Sequence, residues 1–222
     1  MSLSLSTVED REDTAKLACS DAETLEELIE LFGGSSRIKR QKAASTLSLV
    51  AEQDASILLP YAEDISEGLS RPEAQTRWET LNILDLMGKA GQRYDNDVIA
   101  AAEDALYDED NGIVREAAFR FFCGYGGASE SNSVEVWPLI DEAIQCYHGN
   151  PEFADMLTHL VEFANGSISM ETSAALAMRM RFDAENGSGT LKMRANQIVQ
   201  SYLDRGGSLS DGDSDEDEKA DE

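Results

Sequence analysis

The sequence predicts an all-α fold, a right-handed α-α superhelix of about five helix pairs, on three observations. A pattern of apolar residues recurs every 37 or 38 residues along the chain. No segment shows the sustained alternation of apolar and polar residues that marks a β-strand. Aromatic residues make up only 7% of the 222 residues. The apolar content is mostly Ala, Leu and Ile, a balance that favours helices over a β-sandwich.

The repeat is clearest in three columns of residues that keep one register. Two columns are apolar and stand three residues apart, so they lie on one face of a helix. Their members are Ala44, Leu81, Phe119, Leu157 and Ala195, and Leu47, Leu84, Phe122, Leu160 and Ile198. The third column is small, as close helix contacts require, and consists of Ala51, Gly88, Gly126 and Ala164. The residue after the first column is polar in all five segments, which predicts a solvated face.

Each of these five helices is preceded by another apolar segment, which completes a helix pair. Ser20 with Glu23, and Ser70 with Glu73, fit the capping box that starts a helix. Asn150 followed by Pro151 predicts an N-cap with proline at the first helical position. One pair cannot bury both of its faces alone, so stacked neighbours must supply the core.

These boundaries divide the chain into three parts. Residues 1–20 form an N-terminal segment with room for one short helix. Residues 21–205 form the repeat domain. Residues 206–222 are acidic and almost free of apolar groups, which predicts a disordered tail.

The segment 105–118 resembles the HEAT consensus, and residues 21–205 resemble the HEAT/armadillo-like helical repeat family as a whole. In that family an aspartate in the turn within a repeat precedes a Val-Arg pair that opens the second helix. The resemblance implies these roles for Asp110 and Arg115. A proline inside the first helix of a repeat also resembles the family, and Pro60 and Pro138 hold such positions. These prolines would bend their helices. No particular member of the family is identified, and such a fold serves many functions.

The chain is strongly acidic, with 44 acidic and 18 basic residues and a net charge of −26. The tail holds eight of the acids and one lysine, so residues 1–205 keep 36 acids against 17 basic residues. Such a charge repels nucleic acid and anionic lipid, so we expect neither as a partner. Adaptation to high salt and a basic partner both remain open as explanations, and the tail either aids solubility or mimics nucleic acid.

Little in the sequence points to chemistry or to a membrane. No apolar run reaches the roughly 18 residues of a membrane span, and the first residues lack the features of a signal peptide, so we expect a cytoplasmic protein. Cys19, Cys123 and Cys146 are predicted to be buried, reduced thiols. The two histidines, His148 and His159, do not have the spacing of paired metal ligands. We therefore predict no catalytic residue, cofactor or metal site.

The first group of candidate partner-binding residues is basic and falls within six positions. It comprises Arg37, Lys39, Arg40 and Lys42. The group is either a solvated face neutralised by neighbouring acids or a docking patch for an acidic segment, for which the chain's own tail would compete.

The second group lies on the predicted solvent face of the second helices and comprises Trp78, Asn82 and Arg120. Tryptophan and arginine are over-represented at binding hot spots. The alternative for Trp78 is simple packing against the neighbouring repeat.

These observations favour a non-enzymatic protein-interaction scaffold that presents a concave helical-repeat surface to a protein or peptide. The sequence identifies neither the partner nor the oligomeric state. Resemblance suggests two alternatives, a HEAT-like lyase or maturation factor for a tetrapyrrole-bearing protein, and a HEAT-like DNA glycosylase. The acidic charge disfavours the glycosylase, which needs a basic surface to hold DNA.

Overall fold

The computed structural model describes residues 3–209, and this part of the chain is helical throughout, without a β-strand. The helices are α1 (Val8–Ala18), α2 (Ala22–Gly33), α3 (Arg37–Asp54), α4 (Ala62–Ser66), α5 (Ala74–Lys89), α6 (Asn96–Leu106), α7 (Gly112–Gly127), α8 (Glu130–Tyr147), α9 (Phe153–Asn165), α10 (Met170–Asn186) and α11 (Gly189–Asp204). Two short 3₁₀ helices, Ala55–Tyr61 and Glu67–Ser70, flank α4. Most of the predicted tail, residues 210–222, lies outside the described part.

The helices form five consecutive pairs, as predicted. The first members are α2, the 3₁₀–α4–3₁₀ segment, α6, α8 and α10, and the second members are α3, α5, α7, α9 and α11. Helix α1 lies before the first pair and packs against α2 and α3. The all-α repeat architecture expected from the sequence is therefore confirmed.

The second helices form one continuous layer, because α3, α5, α7, α9 and α11 contact one another in that order. The core lies between this layer and the first helices. All ten residues of the two predicted apolar columns are buried, none more than 2% exposed. Gly126 of the small column shows why size matters there, since a Cβ atom would collide with Val136 and Phe163. The 37–38-residue spacing is thus the spacing of stacked pairs around one shared core.

The predicted helix starts were partly wrong, because other side chains took the capping roles. Helix α2 is capped by Asp21, which accepts a hydrogen bond from the backbone N–H of Thr24 at 2.9 Å. Glu73 stands at the N-cap of α5 but makes no capping bond, since its carboxylate binds Arg40 of the preceding pair. Helix α9 begins at Phe153, two residues after Pro151.

The two prolines have different effects. Pro60 lies within the 3₁₀ helix that opens the second pair, so the first helix of that pair is broken into short pieces. Proline lacks the N–H that an α-helix needs, which explains the break. Pro138 lies inside α8, which stays continuous over 18 residues.

All three cysteines are free thiols, as predicted, but only Cys123, on α7, is buried. Cys19 is half-buried and packs against the edge of the core at the end of α1, whereas Cys146 is exposed. Burial raises the pKa of the Cys123 thiol well above its ordinary value. Within residues 3–209, no helix combines the length and the apolar character that crossing a bilayer requires.

Candidate interaction surface

An arginine occupies the fourth position of α3, α5 and α7, and each one forms an ion pair with an acid of the next repeat. Arg40 binds Glu73, with its Nη2 atom 2.5 Å from Oε1. Arg77 binds Asp108 at 2.6 Å, and Arg115 binds Glu152 at 2.5 Å. The three acids, Glu73, Asp108 and Glu152, hold equivalent places in successive repeats. Each lies just before a second helix or in the turn that leads into it.

Two of the three arginines also hold the turn of their own repeat. The Nη1 group of Arg40 donates to the carbonyl of Gly34 at 2.7 Å, and that of Arg115 donates to the carbonyl of Asp108 at 2.7 Å. Each guanidinium thus joins one repeat to the next while fixing the connection between its own two helices. The repeat register places Phe153 and Leu191 at the later positions, so the series stops after α7.

The role that the resemblance implied for Asp110 belongs to Asp108 instead. Asp110 is exposed, whereas the carboxylate of Asp108 accepts bonds from Asn111 and pairs with Arg77 of the preceding repeat. Burial raises the pKa of Asp108, but its hydrogen bonds from Asn111 and Arg77 outweigh this and hold it below its ordinary value. Arg115 keeps the predicted position, yet its acid comes from the following repeat.

The predicted basic cluster is divided by the structure. Arg40 is buried at 6% exposure and is occupied by Glu73, so it is a structural residue and is no longer available to a partner. Arg37 and Lys39 are exposed, and Lys42 is half-buried. Within residues 3–209, none of these three side chains makes a hydrogen bond or an ion pair, although Arg37 acts through space on Glu73.

Trp78, Asn82 and Arg120 all lie half-buried on the second helices. Trp78 and Asn82 are one turn apart on α5, and Trp78 packs on the core while keeping part of its ring exposed. Arg120 lies on the neighbouring helix α7 and donates from Nε to the Oδ2 atom of Asp85 at 3.1 Å. No contact joins Arg120 directly to Trp78 among the described residues, so the three share a surface without forming a cluster.

Asp85 is the residue that sequence reasoning missed. Its side chain is fully buried, and its Oδ2 atom also accepts a bond from Lys89 at 2.8 Å. The carboxylate fits over Gly124 of α7, where a Cβ atom would collide with Oδ1. An acid inside the apolar run of α5, with a lysine four residues later, was the available signal. Asp85 fixes the guanidinium of Arg120 at its Nε end, while a third of the Arg120 side chain stays exposed.

Further polar contacts link neighbouring second helices. Ser45 of α3 donates to Glu79 of α5 at 2.8 Å. His159 of α9 has its Nε2 atom 2.7 Å from Glu116 of α7. The acids that α5 and α7 present on this side are therefore already engaged by neighbours. The described residues hold no group of three or more His, Cys, Asp or Glu side chains arranged to bind a metal ion.

The charge of the protein is divided between the two helix layers. The second helices carry ten basic and eight acidic residues, whereas α2, α4, α6, α8, α10 and the two 3₁₀ helices carry 17 acidic and only two basic residues. The acidity of the body thus resides in the first helices. We call the solvent-facing side of α3, α5, α7, α9 and α11 the second-helix surface, and its balance of charge differs sharply from that of the opposite layer.

Solved structures of designed and engineered proteins have a similar architecture. A designed armadillo repeat protein, solved in complex with the peptide (KR)4, superposes with a TM-score of 0.62 at 10% identity, covering 89% of this chain and 96% of that one. An engineered protein from a structural genomics consortium gives a TM-score of 0.62 at 13% identity, covering 88% and 91%. An archaeal HEAT-like repeat protein from Thermococcus onnurineus gives 0.45 at 12% identity, covering 88% and 93%.

The protein is a helical-repeat solenoid, the class that stacked pairs around a shared core define. More particularly, it has a HEAT/armadillo-like repeat fold. No protein-family model matches the sequence, and no curated protein matches it either.

Proposed function

We propose that this protein is a non-enzymatic interaction scaffold that holds a protein or peptide segment on its second-helix surface. The observation that carries the proposal is the pair of residues Trp78 and Arg120 on that surface. Trp78 rests on the core with part of its ring in solvent, and Arg120 is oriented by a buried carboxylate, so both are held in place before a partner arrives. Fixed anchors of this kind lose little conformational freedom on binding.

The solenoid architecture supports the proposal. Stacked repeats present extended surfaces, and proteins of this kind use them to bind partners. The designed armadillo neighbour was solved in complex with a peptide, (KR)4, which supports a peptide or protein segment as the kind of partner. That likeness concerns the fold, and the residues of the present surface are its own.

Affinity capture with a double variant tests the proposal. Trp78→Ala with Arg120→Ala should abolish the capture of the partners that the wild-type chain retains from native lysate, at unchanged helicity by circular dichroism. The matched control is Trp137→Ala with Arg179→Ala on α8 and α10, which removes the same residue types from the opposite layer and also breaks an Arg–Asp pair. Trp78→Ala alone provides a second variant, because Arg120 additionally holds the buried Asp85.

Equal loss in the double variant and in its control would assign the effect to general destabilisation. Unchanged capture by the Trp78 and Arg120 variants would refute the proposed surface.

A further inference from the structure

The first turns of α3 carry a group of cations that the fold itself does not use. The side chains of Arg37, Lys39 and Lys42 have no hydrogen-bond or ion-pair partner within residues 3–209, although the described chain is rich in acids. We call these three residues the α3 patch. The fourth cation of the segment, Arg40, differs because Glu73 binds it in the interior.

The placement of the α3 patch is unfavourable for the isolated helix. The N-terminus of a helix carries a partial positive charge and favours acids, yet the first turn of α3 has none, and its N-cap Ser36 makes no side-chain capping bond. The other second helices α5, α7 and α11 also lack an acid in their first turn, but each holds only one basic residue there, and that residue has a partner: Arg77 pairs with Asp108, Arg115 pairs with Glu152, and Lys192 donates to the carbonyl of Glu185. The α3 patch therefore works against the local preference of its helix, which a binding role for the cations explains.

The neighbouring surface has the composition to complete a binding site. The repeat register aligns Gln41 with Trp78, so the α3 patch and Trp78 lie on adjacent helices, whose axes are roughly 8–10 Å apart. Ile38 lies between Arg37 and Lys39 in the sequence and is 67% exposed. Glu79, the acid of α5 that contacts α3, is already held by Ser45 at 2.8 Å.

From these observations we propose that the second-helix surface takes an acidic peptide segment of a partner protein, with its carboxylates at the α3 patch and an apolar side chain near Ile38 and Trp78. This inference rests on the proposed function and specifies its partner. It is opposite in charge to the peptide (KR)4 that the designed armadillo neighbour binds. The acidic first-helix layer would repel such a segment, so docking is confined to the second-helix side.

The chain's own acidic residues 210–222 are a poor alternative occupant. They follow α11, the last helix, and the α3 patch lies four second helices away, about 32–40 Å at ordinary helix spacing. The 13 residues span at most about 45 Å when fully extended. The α3 patch also lies at the N-terminal end of its helix, whereas the tail leaves from the C-terminal end of α11. Docking within one molecule would require a nearly taut segment.

Fluorescence anisotropy with two labelled peptides of equal length, (Asp-Glu)4 and (Lys-Arg)4, tests the proposal at low salt. The acidic peptide should bind the full chain, and the affinity should fall roughly tenfold to a hundredfold in the variant Arg37→Glu, Lys39→Glu, Lys42→Glu. Glutamates suit the start of a helix, so this variant should fold. The control, Lys16→Glu, Arg71→Glu, Arg179→Glu, changes the net charge by the same amount at sites outside the second helices. Its affinity for the acidic peptide should stay within about threefold of wild type when both are measured at raised salt, which screens the effect of net charge.

Absence of acidic-peptide binding, or equal binding by the α3-patch variant and its control, would overturn the proposal. Tighter binding of (Lys-Arg)4 that weakens in Trp78→Ala would overturn it too, while leaving the proposed scaffold intact. The ratio of the wild-type affinity for the acidic peptide to that of the α3-patch variant should be the same in chains that end at Leu209. If the α3-patch variant binds the acidic peptide more weakly than wild type only after this truncation, the α3 patch belongs to the chain's own tail and a partner protein is rejected.

Discussion

The guanidinium of Arg40 and the carboxylate of Glu73 form a two-bond ion pair that joins the first helix pair to the second. The Nη2–Oε1 and Nε–Oε2 distances are 2.5 Å and 3.2 Å, and both side chains are nearly inaccessible to solvent. Arginine–carboxylate pairs recur between Arg77 and Asp108, through one Nη2 contact, and between Arg115 and Glu152, through two bonds to one oxygen. The first four repeats are thus tied together by one kind of contact at one structural position.

Removal of Arg40 should destabilise the fold strongly, because Glu73 would remain as a buried charge without a partner. We expect Arg40→Ala to lower the free energy of unfolding by about 3–5 kcal/mol. Arg71→Ala, which breaks a solvent-exposed pair with Glu67, is the control and should cost less than about 1 kcal/mol. Urea denaturation followed by circular dichroism measures both. Similar losses in the two variants would show that the Arg40–Glu73 pair does not bear on stability.

Stability should fall in acid because the inter-repeat carboxylates bind protons less readily in the folded state. The hydrogen bond from Arg40 holds the pKa of Glu73 below its ordinary value. Burial raises the pKa of Glu152, but the bond from Arg115 outweighs it and lowers that pKa as well. A carboxyl group whose pKa is lower in the folded state than in the unfolded state stabilises the fold at pH values above the unfolded pKa, which is about 4.3 for Glu. This stabilisation is lost as the pH falls through the folded-state pKa.

Urea unfolding at a series of pH values between 7 and 3 checks this expectation. Below about pH 4.3 the free energy of unfolding should decline steadily. The decline should be shallower in Glu152→Gln, which cannot titrate, than in the variant Glu109→Gln at an exposed acid. An identical slope in both variants would contradict the assignment.

Gly124 should be intolerant of even a methyl group. In Gly124→Ala the new Cβ atom would collide with the Oδ1 atom of the buried Asp85, and helix backbone on both sides limits relaxation. Overpacking of this kind costs about 1–3 kcal/mol. The control Gly33→Ala meets no atom within 4 Å and should be neutral or stabilising by about 0.4–1 kcal/mol. Thermal unfolding of the two variants gives the comparison, and tolerance at Gly124 would mean that Asp85 moves freely.

The hydroxyl of Tyr147 provides a clean test of a buried hydrogen bond. It donates to the carbonyl of Leu106 at 2.7 Å and so ties α8 to the end of α6. Tyr147→Phe keeps the ring that packs beneath Arg115 and removes only this bond, at a cost of about 1 kcal/mol. Tyr202→Phe, at a longer and exposed contact with Ser208, should change the free energy of unfolding by less than about 0.5 kcal/mol.

Fewer residues bear on the proposed binding surface than on the stability of the stack. Helical register places Trp78, Asn82 and Arg120 on the solvent side of second helices, and residue type makes Trp78 and Arg120 candidates for binding. Neither criterion distinguishes an occupied cation from an available one. Arg40 and Lys39 are neighbours in sequence, and only the position of Glu73 separates their roles.

The sequence by itself determined the helix pairs, their number and their register. A 37–38-residue period and apolar columns such as Leu81 with Leu84 encode these features, because the helical period decides which side chains share a face. The same reasoning could not find the ion pairs between repeats, since Asp108 and Asp110 look equivalent in sequence and only the direction of the turn selects one.

Only the tertiary structure decided which polar residues are structural. Asp85 sits in an apolar run, and its burial depends on the space left by Gly124 on another helix and on cations from two helices. Glu73 binds Arg40, 33 residues earlier, and makes no capping bond to its own helix. A buried carboxylate is stabilised more by a cationic partner than by a backbone N–H. Such choices depend on which helices meet, and the stacking of repeats sets them after the local pattern has set the helices.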